Sequence, residues 1–526
     1  MKKIIKSKKA FCIILMPTIL TLLSFLTERK FFSFSNLKPH EIITYIIVKI
    51  FLFIGLLLLS TFWCNIIINA RQRIQRDRVY IGVFLILVLI YTIVLLCTWP
   101  GNWNNDEFLI LNAAKVFDFQ FHQSFITGIF FMMCLMLIPY AGGIIFVQEI
   151  LCAMIAAYII SELVVCYGKK SLCLLMLFVS APVIYFVLYP LRVCLWSFSL
   201  LLFSYFSKNV ILDKRNVTGK QMILLATLAA IISTWRGEGK IIWIVSLLLF
   251  VLFYKGKLKY IFVFLSLGLV LLLGRINGLA DTTTERTATI WSFMTGFSEM
   301  FSENDLYDPY WEEDYQNINS VLPIEGLTKQ KSAWNLGLLQ ENVGQITFDD
   351  EEYSKFLKSS IRIIMFNPHK YIKAKWECFL ASSGCLAEFV WVTPGADKEA
   401  ILNILNIYQL DADLYNCVYP INESLQLKIL YDLTGMYMFG RTSIPVYRII
   451  WNSAVPIIFM VICTLLVLFR KEWRKACWTL LYWSNFGIVY LMQPTANVMY
   501  MFPFYLLGYA LGVVLLLDVF SNRRKS

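Results

Sequence analysis

The sequence predicts an all-α polytopic membrane protein: about twelve transmembrane helices, one juxtamembrane helix on the outer face, and a mostly helical external domain. Three observations predict it. First, 58% of the 526 residues are hydrophobic and only 16% are charged, against about 25% charged in a soluble domain. Second, apolar runs of roughly spanning length recur along the chain. Third, the net charge of +12 is divided unevenly. Between Arg275 and Arg448, 14 basic residues meet 23 acidic ones, so that segment carries −9 and the remainder +21. The first observation excludes a soluble multidomain enzyme and a disordered scaffold. The third is what the positive-inside rule produces and argues against nucleic-acid binding.

Taken in order, Met1–Lys9 carries five lysines ahead of the run Ala10–Leu26. No small-residue cleavage site precedes Thr27-Glu28-Arg29-Lys30, so an uncleaved first span is expected. Further spans are expected at 42–68, 79–99, 143–165, 171–188, 191–207, 221–235, 240–254, 258–274, 451–469, 476–492 and 499–518. Basic clusters fall at Lys2–Lys9, Arg71–Arg78, Lys169-Lys170, Lys208–Lys220, Lys255–Lys259, Arg470–Lys475 and Arg523–Lys525. With twelve spans every cluster lies on the cytoplasmic side of the cell membrane, and so do both termini. Phe125–Ile138 is too short to span, and spanning there would move Lys169-Lys170 outside. It is expected as a re-entrant or interfacial helix on the outer face.

The organisation that follows is a two-span extension over 1–78 and a membrane core over 79–274, with its first external loop at 100–140. An external domain over 275–450 and the last three spans with a tail over 451–526 complete it. In the external domain, Tyr353–Leu380 has helical apolar spacing broken at Asn367-Pro368. Asp349–Glu352 reads as a helix N-terminus and Asp305–Tyr315 as a loop. Ten of the thirteen cysteines lie in or beside apolar runs, where they behave as small hydrophobes. His40, His122 and His369 are too dispersed for a histidine metal site. There is no Walker loop, dinucleotide fingerprint, nucleophile elbow or CxxC pattern.

The chemistry-bearing residues concentrate at outer span ends. Trp99-Pro100-Gly101-Asn102-Trp103-Asn104-Asn105-Asp106-Glu107 follows the third span. Two adjacent carboxylates there suit a general base or the oxygen ligands of a divalent cation, Mg²⁺ or Mn²⁺. The plainer reading is an interfacial turn in which Asp106 caps a helix over 107–121 and Glu107 favours its positive end. Arg192, after Tyr189-Pro190-Leu191, is placed to grip a phosphate or simply to snorkel. Trp235-Arg236-Gly237-Glu238-Gly239 separates two apolar runs, and a charged turn there suggests a polar cavity, with Glu238 as partner of Arg236. Asp118 and His122 are four apart, on one face if the helix continues. Gln493-Pro494-Thr495-Ala496-Asn497 is a further polar turn between the last two spans.

A span ending in Pro-Gly, followed by an acidic pair opening the first large external loop, resembles the GT-C fold glycosyltransferases. The likeness is to the bacterial branch that uses polyprenyl-phosphate sugars. The apolar stretch after the pair looks like that family's juxtamembrane helix. Arg236-Gly237-Glu238-Gly239 resembles its Arg-x-Glu-Gly element. Phe366-Asn367-Pro368-His369-Lys370-Tyr371 resembles an Asn-Pro-x-x-Tyr element of Gram-positive members. The chain departs from the family at Phe121-His122-Gln123-Ser124, where many members carry His-Pro-Pro. It also lacks a second acidic site around Leu188–Arg192.

The resemblance implies sugar transfer from an undecaprenyl-phosphate-linked donor to a cell-envelope glycan or polymer acceptor, on the outer membrane face. Asp106 is then the catalytic or metal-binding acid, with Glu107 orienting it or completing the metal site. Arg236 and Arg192 hold the donor phosphate, while Glu238, His122 and Trp103 complete the substrate site. Two other functions fit a polytopic envelope protein. A glycan transporter or flippase would depend on the interior residues Lys49, Glu149 and Glu162. A glycan polymerase or ligase would depend on Arg441, Arg448 and His369.

Overall fold

A computed structural model describes residues 2–35, 37–103, 105–118, 124–212, 217–278, 282–303, 305–386, 398–407, 409–410, 414–435 and 445–522. Among these the regular elements are all helical. Helices α1 (Lys2–Thr27), α2 (Pro39–Arg71) and α3 (Gln75–Cys97) are followed by the short α4 (Asn105–Lys115) and α5 (Phe125–Leu137). Next come α6 (Ala141–Tyr167), a 3₁₀ turn at Lys169–Leu174, α7 (Leu175–Phe178) and α8 (Ala181–Val187). Helices α9 (Arg192–Ile211), α10 (Gly219–Trp235), α11 (Gly239–Phe253) and α12 (Leu258–Asn277) complete the first half.

Six helices, α2, α3, α6, α9, α12 and the final α25 described below, are long and apolar enough to cross a membrane. The bent segment Lys169–Val187 makes seven if taken as one span. The expected twelve is thus met in part. Helices α10 and α11 fall where spans were expected but have 17 and 15 residues, a rise of ~23–26 Å against a ~30 Å hydrocarbon core. The expected span 171–188 is broken, with a 60° bend. Ser180 is extended and Pro182 cannot donate a backbone hydrogen bond, so a new helix starts there.

The connecting segment holds α13 (Thr282–Ser302), α14 (Trp311–Val321), α15 (Ile324–Lys329), α16 (Leu336–Val343), α17 (Asp350–Phe366) and α18 (Pro368–Ser382). It continues through α19 (Lys398–Ile407), α20 (Leu414–Val418), α21 (Glu423–Thr434) and α22 (Pro445–Ile450). The last helices are α23 (Ala454–Phe469, 16 residues), α24 (Trp473–Met492) and α25 (Val498–Asn522). The break at Asn367-Pro368 is where expected, and Asp349 caps α17 in a reciprocal pair with Glu352. The loop expected over Asp305–Tyr315 is corrected in its second half. Residues 311–315 open α14, because Glu312, Glu313 and Asp314 suit the positive end of a helix.

Two hydrophobic cores divide the connecting segment. Ile290, Phe293, Phe297, Ile318, Phe356, Ile363 and Tyr371 form one among α13–α18. Ile401, Leu405, Leu414, Val418 and Leu430 instead join the core of the apolar helix bundle.

Polar contacts sort the helix ends into two groups. At one end Arg76 pairs with Glu162 at 3.1 Å, and Asp518 gathers Lys475, Lys208 and the Tyr167 hydroxyl. These residues flank five of the seven basic clusters. At the other end the connecting segment docks. The fully buried Lys375 of α18 donates to Ser292 O (2.7 Å), Thr295 Oγ1 (3.2 Å) and Gln493 O (3.0 Å), tying α13 to the α24–α25 turn. Lys375→Met removes those three hydrogen bonds from a buried site. It is expected to cost about 1–3 kcal/mol, read as a lowered melting temperature in detergent, and an unchanged melt would contradict it.

Candidate functional site

The loop between α3 and α4 is held from three sides. Gly101 has φ +98°, and a Cβ there would meet Leu188 O at 2.8 Å as well as the Ile145 side chain. The amide of Asn102 donates to Leu188 O at 3.0 Å, and its side-chain nitrogen donates to Tyr185 Oη at 2.8 Å. From α21, Gln426 Nε2 donates to Thr98 O (3.1 Å) and Gly101 O (2.7 Å). Gly101→Ala is therefore expected to lose at least 1 kcal/mol from backbone conformation alone, plus the clash. Its readout is the yield of monodisperse protein after solubilisation; yield equal to wild type would contradict it.

This fixed loop delivers the two acids in the first turn of α4, where both suit the helix dipole. Adjacent helical residues do not share a face. Asp106 is exposed, whereas Glu107 is fully buried on the side of Tyr185. Of the two acids expected to serve as base or cation ligands, one is open and the other is enclosed.

Arg192 opens α9 and Arg236 follows α10. Arg192 Nη1 donates to Trp235 O at 3.3 Å. Arg236 forks onto Glu238 through Nη2 (2.6 Å) and Nε (3.3 Å), and its guanidinium lies 5.5 Å from the centre of the Trp196 ring. Burial pushes the Glu238 carboxyl up, but the Arg236 guanidinium more than offsets this and holds it below the usual carboxylate range. The turn is tight: a Cβ on Gly239 would fall on the Ile232 carbonyl. Trp235 Nε1 donates to Thr127 Oγ1 at 2.9 Å, and Asn277 bonds both Thr234 O and the Phe125 amide, so α5 is fastened to this turn.

Arg192 and Tyr500 lie within Coulombic reach of each other, and each lies within reach of Asp106, Arg236 and Glu238. Four of these five are residues the sequence singled out. Trp103 is placed differently. It is buried, donates to Pro100 O at 3.1 Å and packs against Phe108 and Phe131, so it builds the loop rather than facing a substrate. His122 lies outside the described residues, as does Arg441. The helix expected over 107–121 ends at Lys115. There Phe117 turns left-handed (φ 57°) into a box of Phe32, Phe34 and Tyr45, so Asp118 lies beyond the end of α4.

Among the described residues no three His, Cys, Asp or Glu side chains form a metal cluster. Of the interior residues a transporter would need, Lys49 pairs with Glu28, Glu162 pairs with Arg76, and Glu149 is buried. Sequence reasoning missed Tyr500, Trp196 and Gln426. Tyr500 adjoins the polar turn after α24, and Trp196 stands one helical turn beyond Arg192; Gln426 gave no signal. No family model, no curated protein and no solved structure matches the chain.

Proposed function

We propose that this chain is a membrane glycosyltransferase. It moves a sugar from an undecaprenyl-phosphate-linked donor to a cell-envelope glycan or polymer at the outer membrane face. The bundle crosses the membrane about twelve times, the shorter and broken helices included, with both termini cytoplasmic. The observation that carries the reading is that the Arg192 guanidinium lies within Coulombic reach of both an exposed carboxylate, Asp106, and a second guanidinium, Arg236. They come from elements far apart in sequence.

That set matches the demands of an inverting displacement. Asp106 takes the proton from the acceptor hydroxyl as its oxygen attacks the sugar's anomeric carbon. The bond to the donor phosphate breaks, and the guanidiniums stabilise the charge that collects there. Glu238 occupies Nε and Nη2 of Arg236 and fixes the orientation of its fork. A divalent cation would be held by Asp106 as its exposed carboxylate ligand. Bound there it would neutralise developing phosphate charge. Glu107 is buried in the same first turn of α4.

The direct test reconstitutes the purified chain in liposomes with a synthetic polyprenyl-phosphate sugar and a lipid-linked oligosaccharide. Sugar transfer to the acceptor supports the reading. Joining of two oligosaccharides, or translocation without transfer, replaces it with a polymerase or a flippase.

A further inference from the structure

Helices α17 and α18 meet at a corner that exposes large apolar side chains beside His369 and Lys373. Ile361, Met365 and Phe366 on α17 are 50%, 73% and 37% exposed, and Ile372 and Trp376 on α18 are 49% and 50% exposed. The pairs 361/365 and 372/376 are each one turn apart and share a face. The inner faces are already used, by Phe356 and Ile363 in the core of the connecting segment and by Lys375 and Cys378 against Gln493. Exposed side chains of this size gathered at one corner mark a surface that meets something apolar.

The position of α18 says what that is. Tyr371 Oη donates to Leu491 O at 2.9 Å, and Tyr490 Oη donates to Ile372 O at 2.9 Å. The Phe379 ring lies 5.7 Å from that of Phe486. Phe486 is six residues inside the end of α24 at Met492, which is ~9 Å along a helix. At the far end of α18, Ser383 O accepts from the amide of Ser453, just ahead of α23. The exposed residues of α23 and α24 nearby are themselves apolar: Val455 and Ile458 on one, Leu491 on the other. The exposed face of α18 therefore continues the outward surface of the bundle, with Met365 and Phe366 of α17 just ahead of it in the chain. An interfacial helix sits about 5–10 Å into the headgroup and acyl boundary, which matches the depth of Phe379. Lys370 and Lys373 on the same helix are neutralised by Asp305 and Glu303, which lowers the cost of such a position.

We propose that the α17–α18 corner is inserted in the outer leaflet of the bilayer, its occupant being phospholipid, and that it anchors the connecting segment at the membrane surface. This holds whether or not the chain transfers sugar. A benzophenone amino acid placed at Met365, with a second probe at Ile361, is photolysed in the full chain in phospholipid vesicles and the adducts are weighed. Lys355, exposed near the start of α17, is the control position. The expected result is a phospholipid adduct from Met365 and Ile361 at least fivefold above that from Lys355. Adducts with a second copy of the chain, or lipid labelling no greater than at Lys355, overturn the proposal.

Discussion

Asp106→Asn is expected to lower sugar transfer by about 10²–10⁴-fold, the range general-base removal commonly costs. Expression, membrane insertion and melting temperature should stay at wild-type values, because Asp106 is exposed and its loop is held by Gly101, Asn102 and Gln426 instead. Donor KM should change little, since the two arginines remain. Glu107→Gln provides the contrast: that side chain is fully buried, so its effect should fall on stability as well as on rate. Transfer by Asp106→Asn near the wild-type rate would remove the carboxylate from the chemistry.

Arg236→Met is expected to cost about 3–5 kcal/mol of stability, because it strands the mostly buried Glu238 carboxylate without its counter-charge. Combining it with Glu238→Leu should recover most of the melting temperature, since replacing both members of a buried pair is often nearly neutral. Transfer should not recover. The double variant keeps a folded turn but loses a phosphate-binding guanidinium, with an expected fall of about 10²–10³-fold. If the double variant regains both stability and transfer, Arg236 is structural only.

The legible part of this chain was what short-range chemistry writes into it. Apolar runs marked the bundle helices, proline marked the break at Asn367-Pro368, and Asp349 with Glu352 announced the start of α17. The acids and arginines at span ends stood out because charge beside an apolar run is expensive. Span lengths were less legible: α10 and α11 are a few residues short, and Ser180-Ala181-Pro182 bends what looked continuous. Which face a residue turns was not legible at all. Asp106 and Glu107 are neighbours of identical charge, yet packing opens one and encloses the other. Gln426 touches the site loop across more than 300 positions, and such pairing leaves no local trace.

The division of the connecting segment between two cores has a consequence for how the chain tolerates change. Helices α19, α20 and α21 contribute to the bundle's own interior, and through Gln426 the last of them grips the loop that carries Asp106. Insertions and deletions should therefore accumulate in the turns between α13 and α16, whose hydrophobic core is separate from that of the bundle. The stretch from α19 to α21 should resist them as firmly as a transmembrane helix, although it lies in the same loop by sequence order.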